Sequence, residues 1–150
     1  MIRTETEYQR TLKRLDDDRV YLKELKKSLG SEGLSSEEAD RAMQPALSFH
    51  AQLKEEVETF ERMKRGDLDT LYNLSGIGRW LIGVRIAKGW SQKQLAGHLG
   101  VSEAQVSRDE SNEYHNVTVE RAQRILEVMD LSFRMEVEEP IIGDVELVSA

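Results

Sequence analysis

Apolar residues at helical spacing dominate the first part of the chain. A strict seven-residue series places Tyr8, Leu15, Leu22 and Leu29 on one side, with further leucines between them. Such a heptad series is typical of a helix that packs against another helix. The pattern therefore predicts one long amphipathic helix over residues 5–29.

A second apolar stripe follows a break at residues 30–33, where the sequence is GSEG. Ser35 or Ser36 can cap a new helix at this point. Its apolar positions recur at three- and four-residue steps and include Leu53, Val57 and Phe60. Two helices joined by a short glycine-containing loop should fold back as an antiparallel hairpin, here over residues 1–66.

The hairpin stripes are candidates for self-association. Two stripes alone bury little surface, so we expect them to pack against a second copy, a partner helix or the rest of the chain. The side chains expected at a dimer or partner contact are Tyr8, Leu15, Leu22, Leu29, Leu53, Val57 and Phe60.

Two weaker patterns flank the region that carries the main motif. Residues 67–74 predict a short helix, with Asp67 as its cap and leucines on one face. Beyond residue 130, apolar and polar residues alternate, which predicts a strand over 131–137 and a returning strand at 145–148. An edge strand of this kind can pair across a dimer.

The segment SQKQLAGHLGVSEAQVSRDE, residues 91–110, contains Ser-x-x-Gln twice. In each copy the serine can accept a hydrogen bond from the amide three residues on, while the glutamine returns one to the serine amide. Ser91 and Gln94 therefore predict a helix over 92–99, and Ser102 and Gln105 predict a second helix over 103–110.

Three residues between and within these helices favour a tight crossing. Gly100 lies where the chain must turn, and a left-handed backbone is readily adopted there only by glycine. Ala96 is small where the second helix passes closely, and Val106 is apolar and points inward. Two short helices joined by such a turn form a helix-turn-helix.

Residues 85–131 resemble the five-helix DNA-binding domain of the Xre and lambda-repressor-like transcriptional regulators. The resemblance is carried by Ala96, Gly100 and Val106 together with the two serine caps. It implies that Arg85 and Glu110 form a structural ion pair between the first helix and the end of the recognition helix. The expected fold is mainly α: a coiled-coil-like antiparallel hairpin, a lambda-repressor-like five-helix domain over 67–131, and a short C-terminal strand or hairpin over 132–150.

The resemblance also assigns roles in DNA binding. It places the base-reading positions on Glu103, Ala104 and Arg108, and a phosphate contact on Gln92, with Lys93 beside it. Arg108 alternatively contacts a phosphate or forms a surface ion pair with a neighbouring acid. The full set of predicted DNA-binding residues is Gln92, Lys93, Ser102, Glu103, Ala104, Gln105, Ser107, Arg108, Asn112, Tyr114, His115 and Asn116.

Charge and composition narrow the choice of function. The chain has a net charge of −7, but eight basic and seven acidic residues lie between Gly76 and Met135. This segment is therefore the part whose charge balance does not oppose nucleic acid. The chain has no cysteine, and its three histidines show no metal-ligand spacing, so no cofactor or metal site is predicted.

The sequence thus favours a cytoplasmic repressor-type regulator that binds a palindromic double-stranded DNA operator as a homodimer. The alternative is an antitoxin of the HigA-like type, which neutralises a toxin partner through the hairpin and regulates its own operon. An enzyme is not expected, because no nucleophile with a base or paired acids is evident. No signal peptide or membrane span is expected either.

Overall fold

The computed structural model describes residues 1–136, and every regular element in that range is helical. The helices are α1 Glu5–Ser31, α2 Ser36–Lys64, α3 Ile77–Ala87, α4 Gln92–Leu99, α5 Glu103–Ser111 and α6 Val119–Val128, with a 3₁₀ turn at Leu74–Gly76. None of these helices is long and apolar enough to cross a membrane. The mainly α fold expected from the sequence is confirmed.

Helices α1 and α2 form the expected antiparallel hairpin. Both begin with a capping box, at Thr4 for α1 and at Ser35 for α2. Near the open end of the hairpin, Tyr8 stacks on Phe60 with ring centroids 5.1 Å apart. The Tyr8 hydroxyl donates a 2.6 Å hydrogen bond to Glu61, so this aromatic contact also fixes the register of the two helices.

The apolar stripes of the hairpin are used mostly within the chain. Four of the seven predicted contact residues are buried, namely Leu15, Leu53, Val57 and Phe60, and three are half-buried, namely Tyr8, Leu22 and Leu29. Of the expected alternatives, the structure shows packing within the chain, because each stripe packs mainly against the other. A contact of these residues with a second copy or a partner stays a prediction.

The hairpin packs directly on the helix-turn-helix region. One hydrophobic cluster runs from Leu15 and Phe60 of the hairpin to Leu81 of α3 and Ile125 of α6. Ile2, which precedes α1, is only 3% exposed and belongs to the same cluster. The hairpin and the helix-turn-helix region therefore share one core.

The linker between α2 and α3 departs from the predicted short helix at 67–74. Residues 67–72 contain no helix, and Leu74 begins the 3₁₀ turn. Arg62 binds Asp69 at 2.6 Å and Asp67 at 3.3 Å, which holds the linker against the end of α2. These ion pairs, with Leu68 packed against Gly83, outweigh a weak local helical pattern. In the described residues, four α-helices and one 3₁₀ turn therefore make up the region for which five helices were expected.

The predicted C-terminal strand is not formed in its described part. Residues 131–136 are neither helix nor strand, and a strand requires a hydrogen-bonded neighbour to form. Phe133 instead packs edge-on to Trp80, with ring centroids 6.2 Å apart. The predicted returning strand at 145–148 lies outside the described residues.

A close backbone contact joins α3 to the loop that follows α5. A Cβ atom added at Gly78 would lie 1.7 Å from the carbonyl oxygen of Glu113 and 3.2 Å from Cβ of Tyr114. Only glycine fits at this position without moving the loop. The contact places residues 112–117 against the start of α3.

Gly78→Ala should therefore destabilise the protein by about 1–3 kcal/mol or more, because the clash is with backbone and cannot be relieved by a rotamer change. Gly97→Ala is the matched control: Gly97 is also helical, and its added Cβ would meet nothing within 4 Å. That change should stabilise α4 slightly through helix propensity. Denaturant unfolding measures both; equal effects would contradict the proposed contact.

Candidate nucleic-acid interface

Local sequence determines the geometry of the α4–turn–α5 unit. Ser91 and Gln94 form the predicted capping box at the start of α4. Gly100 ends α4 in the left-handed region at φ 70°, and the amide of Val101 then donates to the carbonyl of Ala96 at 3.0 Å. Ser102 caps α5 by accepting from the amide of Gln105. The helix-turn-helix predicted from the two serine motifs is confirmed.

The predicted pairing of Arg85 with Glu110 joins α3 to the recognition helix α5. Arg85 Nε donates to one carboxylate oxygen of Glu110 at 2.5 Å, and Nη2 donates to the other at 2.7 Å. Both residues are buried, with Glu110 at 0% exposed. A bidentate geometry of this kind holds both side chains in one orientation.

The same guanidinium also connects two further segments. Arg85 Nη1 donates to the carbonyl of Trp90 at 2.7 Å, and Nη2 donates to the carbonyl of Arg3 at 2.9 Å. The first bond holds the loop that precedes α4, and the second holds the segment that precedes α1. One arginine thus positions the recognition helix, the start of α4 and the start of the hairpin.

Gln92 has a different partner from the phosphate that the resemblance implies. Its side chain is mostly buried, and its amide nitrogen donates to Glu110 at 2.8 Å. That bond supplies a third donor to the buried carboxylate, which needs such donors away from water. The Gln92 side chain therefore has a structural role, while the phosphate contact expected of it stays a prediction. Lys93 beside it is exposed.

The outward face of α5 carries most of the predicted base-reading residues. Val106 is fully buried, whereas Glu103, Ala104, Gln105 and Arg108 are exposed. Ser107 is partly exposed, and Ser102 is exposed at the cap. The second predicted box is formed only in part, because no described hydrogen bond returns from the Gln105 side chain to the Ser102 amide.

Arg108 has no ion-pair partner among residues 1–136. The acid that follows it, Asp109, instead pairs with Arg121 of α6 at 3.3 Å. The alternative surface ion pair of Arg108 with Glu103 or Asp109 is therefore not formed in the described structure. The guanidinium of Arg108 projects from the recognition helix without a carboxylate to neutralise it.

The loop after α5 uses a strained backbone to bury an aromatic ring. Glu113, Tyr114 and Asn116 all have positive φ, at 48°, 52° and 59°, a region that non-glycine residues seldom adopt. Tyr114 is only 5% exposed. Burial raises the pKa of its hydroxyl, and the nearby carboxylate of Glu110 raises it further. The ring of Tyr114 therefore supports the loop from inside, and the DNA contact expected of it stays a prediction.

Polar residues around the end of α5 line a concave surface that the sequence predicted only in part. Asn112, His115 and Asn116 are exposed there, as predicted. The same concavity also includes Thr118 and Arg121 at the start of α6. These two were missed because the sequence places them in a separate helix, and Thr118 gave only a capping signal.

Two further polar side chains in this region contact neighbouring residues. Glu113, which would oppose a phosphate, pairs with Arg79 at 3.0 Å. His98 stacks on Trp90 with ring centroids 4.3 Å apart, so this histidine packs on the surface of the domain. Within residues 1–136, no group of three potential ligands could hold a metal ion.

Arg85→Met should destabilise the protein by about 3–5 kcal/mol, because it leaves the Glu110 carboxylate buried without its counter-charge. Arg121→Met removes a partly exposed partner of Asp109 and should cost no more than about 1 kcal/mol. The double change Arg85→Met, Glu110→Leu should be less destabilising than Arg85→Met alone. Denaturant unfolding of the three variants measures this, and a double variant at least as unstable as Arg85→Met alone would contradict it.

A family model described as helix-turn-helix matches residues 83–135, which include α4, the turn at Gly100 and α5. The hairpin formed by α1 and α2 lies outside the matched residues. Comparisons with curated proteins and with solved structures found no match. The match over residues 83–135 supports DNA binding and regulation of transcription.

Proposed function

We propose that the protein is a sequence-specific transcriptional repressor that binds a palindromic operator as a homodimer. The observation that carries the proposal is the exposed polar face of α5, with Arg108 lacking an ion-pair partner among residues 1–136. The buried Arg85–Glu110 pair holds this face rigidly. A rigid helix with an unneutralised arginine suits insertion into the major groove.

The proposed base contacts follow from the chemistry of the exposed side chains. Arg108 can donate two hydrogen bonds to guanine, and Glu103 can accept one from the amino group of cytosine. Ala104 can contact a thymine methyl group, and the amide of Gln105 suits adenine. Ser102 and Ser107 border this face and can donate to either kind of edge or to a phosphate.

Phosphate contacts on the two sides of α5 would set its depth in the groove. On one side, Lys93 and the backbone amides at the start of α4 can bind one strand. On the other side, Asn112, His115 and Asn116 lie with Arg121 on one concave surface. These groups donate hydrogen bonds to phosphate oxygens without reading sequence.

A homodimer would place its two α5 helices about 34 Å apart, or one turn of DNA. Since the stripes of the hairpin are mostly buried, the dimer contact is expected at other apolar side chains. Leu131, Phe133 and Met135 are exposed on the segment after α6. This segment is the leading candidate for the contact between copies.

Arg108→Ala should weaken binding to the operator by about 1–3 kcal/mol, with a much smaller loss on unrelated DNA, because a base contact is lost. Arg41→Ala is the control: it removes an exposed arginine of α2 that lies near the loop of the hairpin. Fluorescence anisotropy with duplexes from the protein's own promoter and competitor DNA measures both losses. Equal, salt-sensitive losses on both DNAs would make Arg108 a phosphate ligand instead.

The antitoxin alternative is favoured by one further observation. Val20, Tyr21, Leu47 and Phe49 are exposed on the hairpin, away from the helix-turn-helix region. The guanidinium of Arg14 lies 4.5 Å from the centre of the Phe49 ring. Exposed aromatic side chains such as Tyr21 and Phe49 are enriched at protein-binding sites.

If the hairpin neutralises a toxin encoded by the neighbouring gene, the double change Tyr21→Ser, Phe49→Ser should abolish co-purification of the two co-expressed proteins. The variant should also no longer relieve the growth inhibition that the toxin causes. DNA binding should be unchanged, because the substitutions lie far from α5. Val119→Ser, at an apolar residue 79% exposed on α6, is the matched control. Failure of the unsubstituted protein to bind the neighbouring product would contradict the antitoxin function.

A further inference from the structure

The first turn of the hairpin lies beside the proposed DNA-binding surface. Thr4 and Thr6, at the start of α1, line the same concavity as Ser91 and Gln94 of the α4 capping box. Glu103, the first residue of the recognition helix, lines it as well. DNA that contacts the starts of α4 and α5 must therefore pass close to the first turn of α1.

This arrangement is held by buried contacts. The carbonyl of Arg3 accepts a 2.9 Å hydrogen bond from Arg85, the residue that also positions Glu110. Ile2 is buried in the shared core. Because buried groups anchor the segment on both sides of Arg3, the start of α1 has a fixed position relative to α5.

Two basic side chains follow Thr6, which lines the concavity, on the same side of α1. At 100° per residue, Arg10 and Lys13 lie on the same side of the helix as Thr6, displaced by about 40° and 20°. They are about 6 Å and 10 Å farther along the axis. Both are exposed, and neither has a carboxylate within 4 Å among residues 1–136. The next turn carries Asp16 and Asp17, so the basic stretch ends there.

The acidic residues in the first turn of α1 are matched by neighbouring cations. Glu5 accepts a 2.9 Å hydrogen bond from Lys64, which lowers the pKa of its carboxyl group. Glu7 pairs with Arg3 at 3.2 Å. These carboxylates are thus partly neutralised, whereas Arg10 and Lys13 retain their charge for a partner.

We propose that Arg10 and Lys13 bind phosphates of the DNA that flanks the base pairs read by α5. The inference rests on the proposed operator binding, and it makes the hairpin part of the DNA-binding surface. Each strand carries one phosphate per about 3.4 Å of the DNA helix axis, and neighbouring phosphates on the winding strand lie farther apart than that. Two long side chains that start about 4 Å apart along the axis of α1 can diverge to reach neighbouring phosphates. The operator would then extend beyond the base pairs covered by the helix-turn-helix.

The test compares two double variants with the same change in charge. Arg10→Gln with Lys13→Gln removes the proposed contacts, whereas Lys26→Gln with Lys27→Gln removes two exposed cations about 20 Å farther along α1. Anisotropy titrations at several salt concentrations give the slope of log K against log salt for operator and unrelated DNA. Thermal unfolding checks that both variants fold like the unsubstituted protein.

The first variant should bind both DNAs on the order of tenfold more weakly, and its salt slope should fall in magnitude by about 1.8, or 0.9 for each lost phosphate contact. Shortening the duplex at both ends should weaken binding by the unsubstituted protein by a similar factor, but it should change binding by this variant little. The Lys26, Lys27 variant should retain the original slope.

Two outcomes overturn different claims. Suppose that the unsubstituted protein binds its operator specifically. If the Arg10, Lys13 variant then has an unchanged salt slope, or if both double variants lower the slope equally, the flanking contact is wrong and only the helix-turn-helix binds DNA. If the unsubstituted protein shows no specific binding to any promoter duplex, the proposed function itself fails, whatever the variants do.

Discussion

The buried ion pair between Arg85 and Glu110 is the interaction on which the other contacts of the site depend. Removing both charges from water costs several kcal/mol per ion, and this cost is offset by the hydrogen bonds that both partners make. Glu110 accepts from Arg85 twice and from Gln92 once. Arg85 donates its remaining bonds to the carbonyls of Trp90 and Arg3.

These bonds explain why a small domain can present α5 in one orientation. The donors bonded to Glu110 belong to two other elements, so a rotation of α5 would break hydrogen bonds to α3 and α4 together. Through its bond to the Arg3 carbonyl, Arg85 also fixes α3 to the segment before α1. The energetic penalty for leaving a buried charge unpaired is larger than that of losing a surface contact. Base recognition requires this rigidity, because hydrogen bonds to base edges tolerate little displacement.

Local sequence signals predicted the elements whose geometry is determined locally. The Ser91 box and the left-handed Gly100 determine the boundaries of α4, and both were evident from residue type and spacing. The helix predicted at 67–74 did not form, because the packing of Leu68 against Gly83 and the ion pairs of Arg62 hold the linker in another conformation. The burial of Tyr114 was not predicted, because it depends on a positive φ and on Gly78 in a different helix.

The site shows the same division between local and tertiary information. The exposed face of α5 follows from the inward position of Val106, which the helical period of the sequence supplies. The hydrogen-bond partner of Gln92 does not follow from the helical period, since an amide at the start of a helix can bind either a phosphate or a buried carboxylate. Only the tertiary position of Glu110, at the other end of the motif, decides between them.

Because the chain is acidic, the proposed DNA complex combines repulsion of phosphates by carboxylates with attraction of phosphates by lysines and arginines. Glu103 lies on the recognition face, and a carboxylate there repels phosphates wherever it lacks a matching base edge. Binding to unrelated DNA, which depends on phosphate contacts alone, is therefore weakened more than binding to the operator. Cations outside the motif can then restore affinity without changing which sequence is preferred. In this arrangement α5 supplies the discrimination, while lysines and arginines of the neighbouring helices supply most of the attraction.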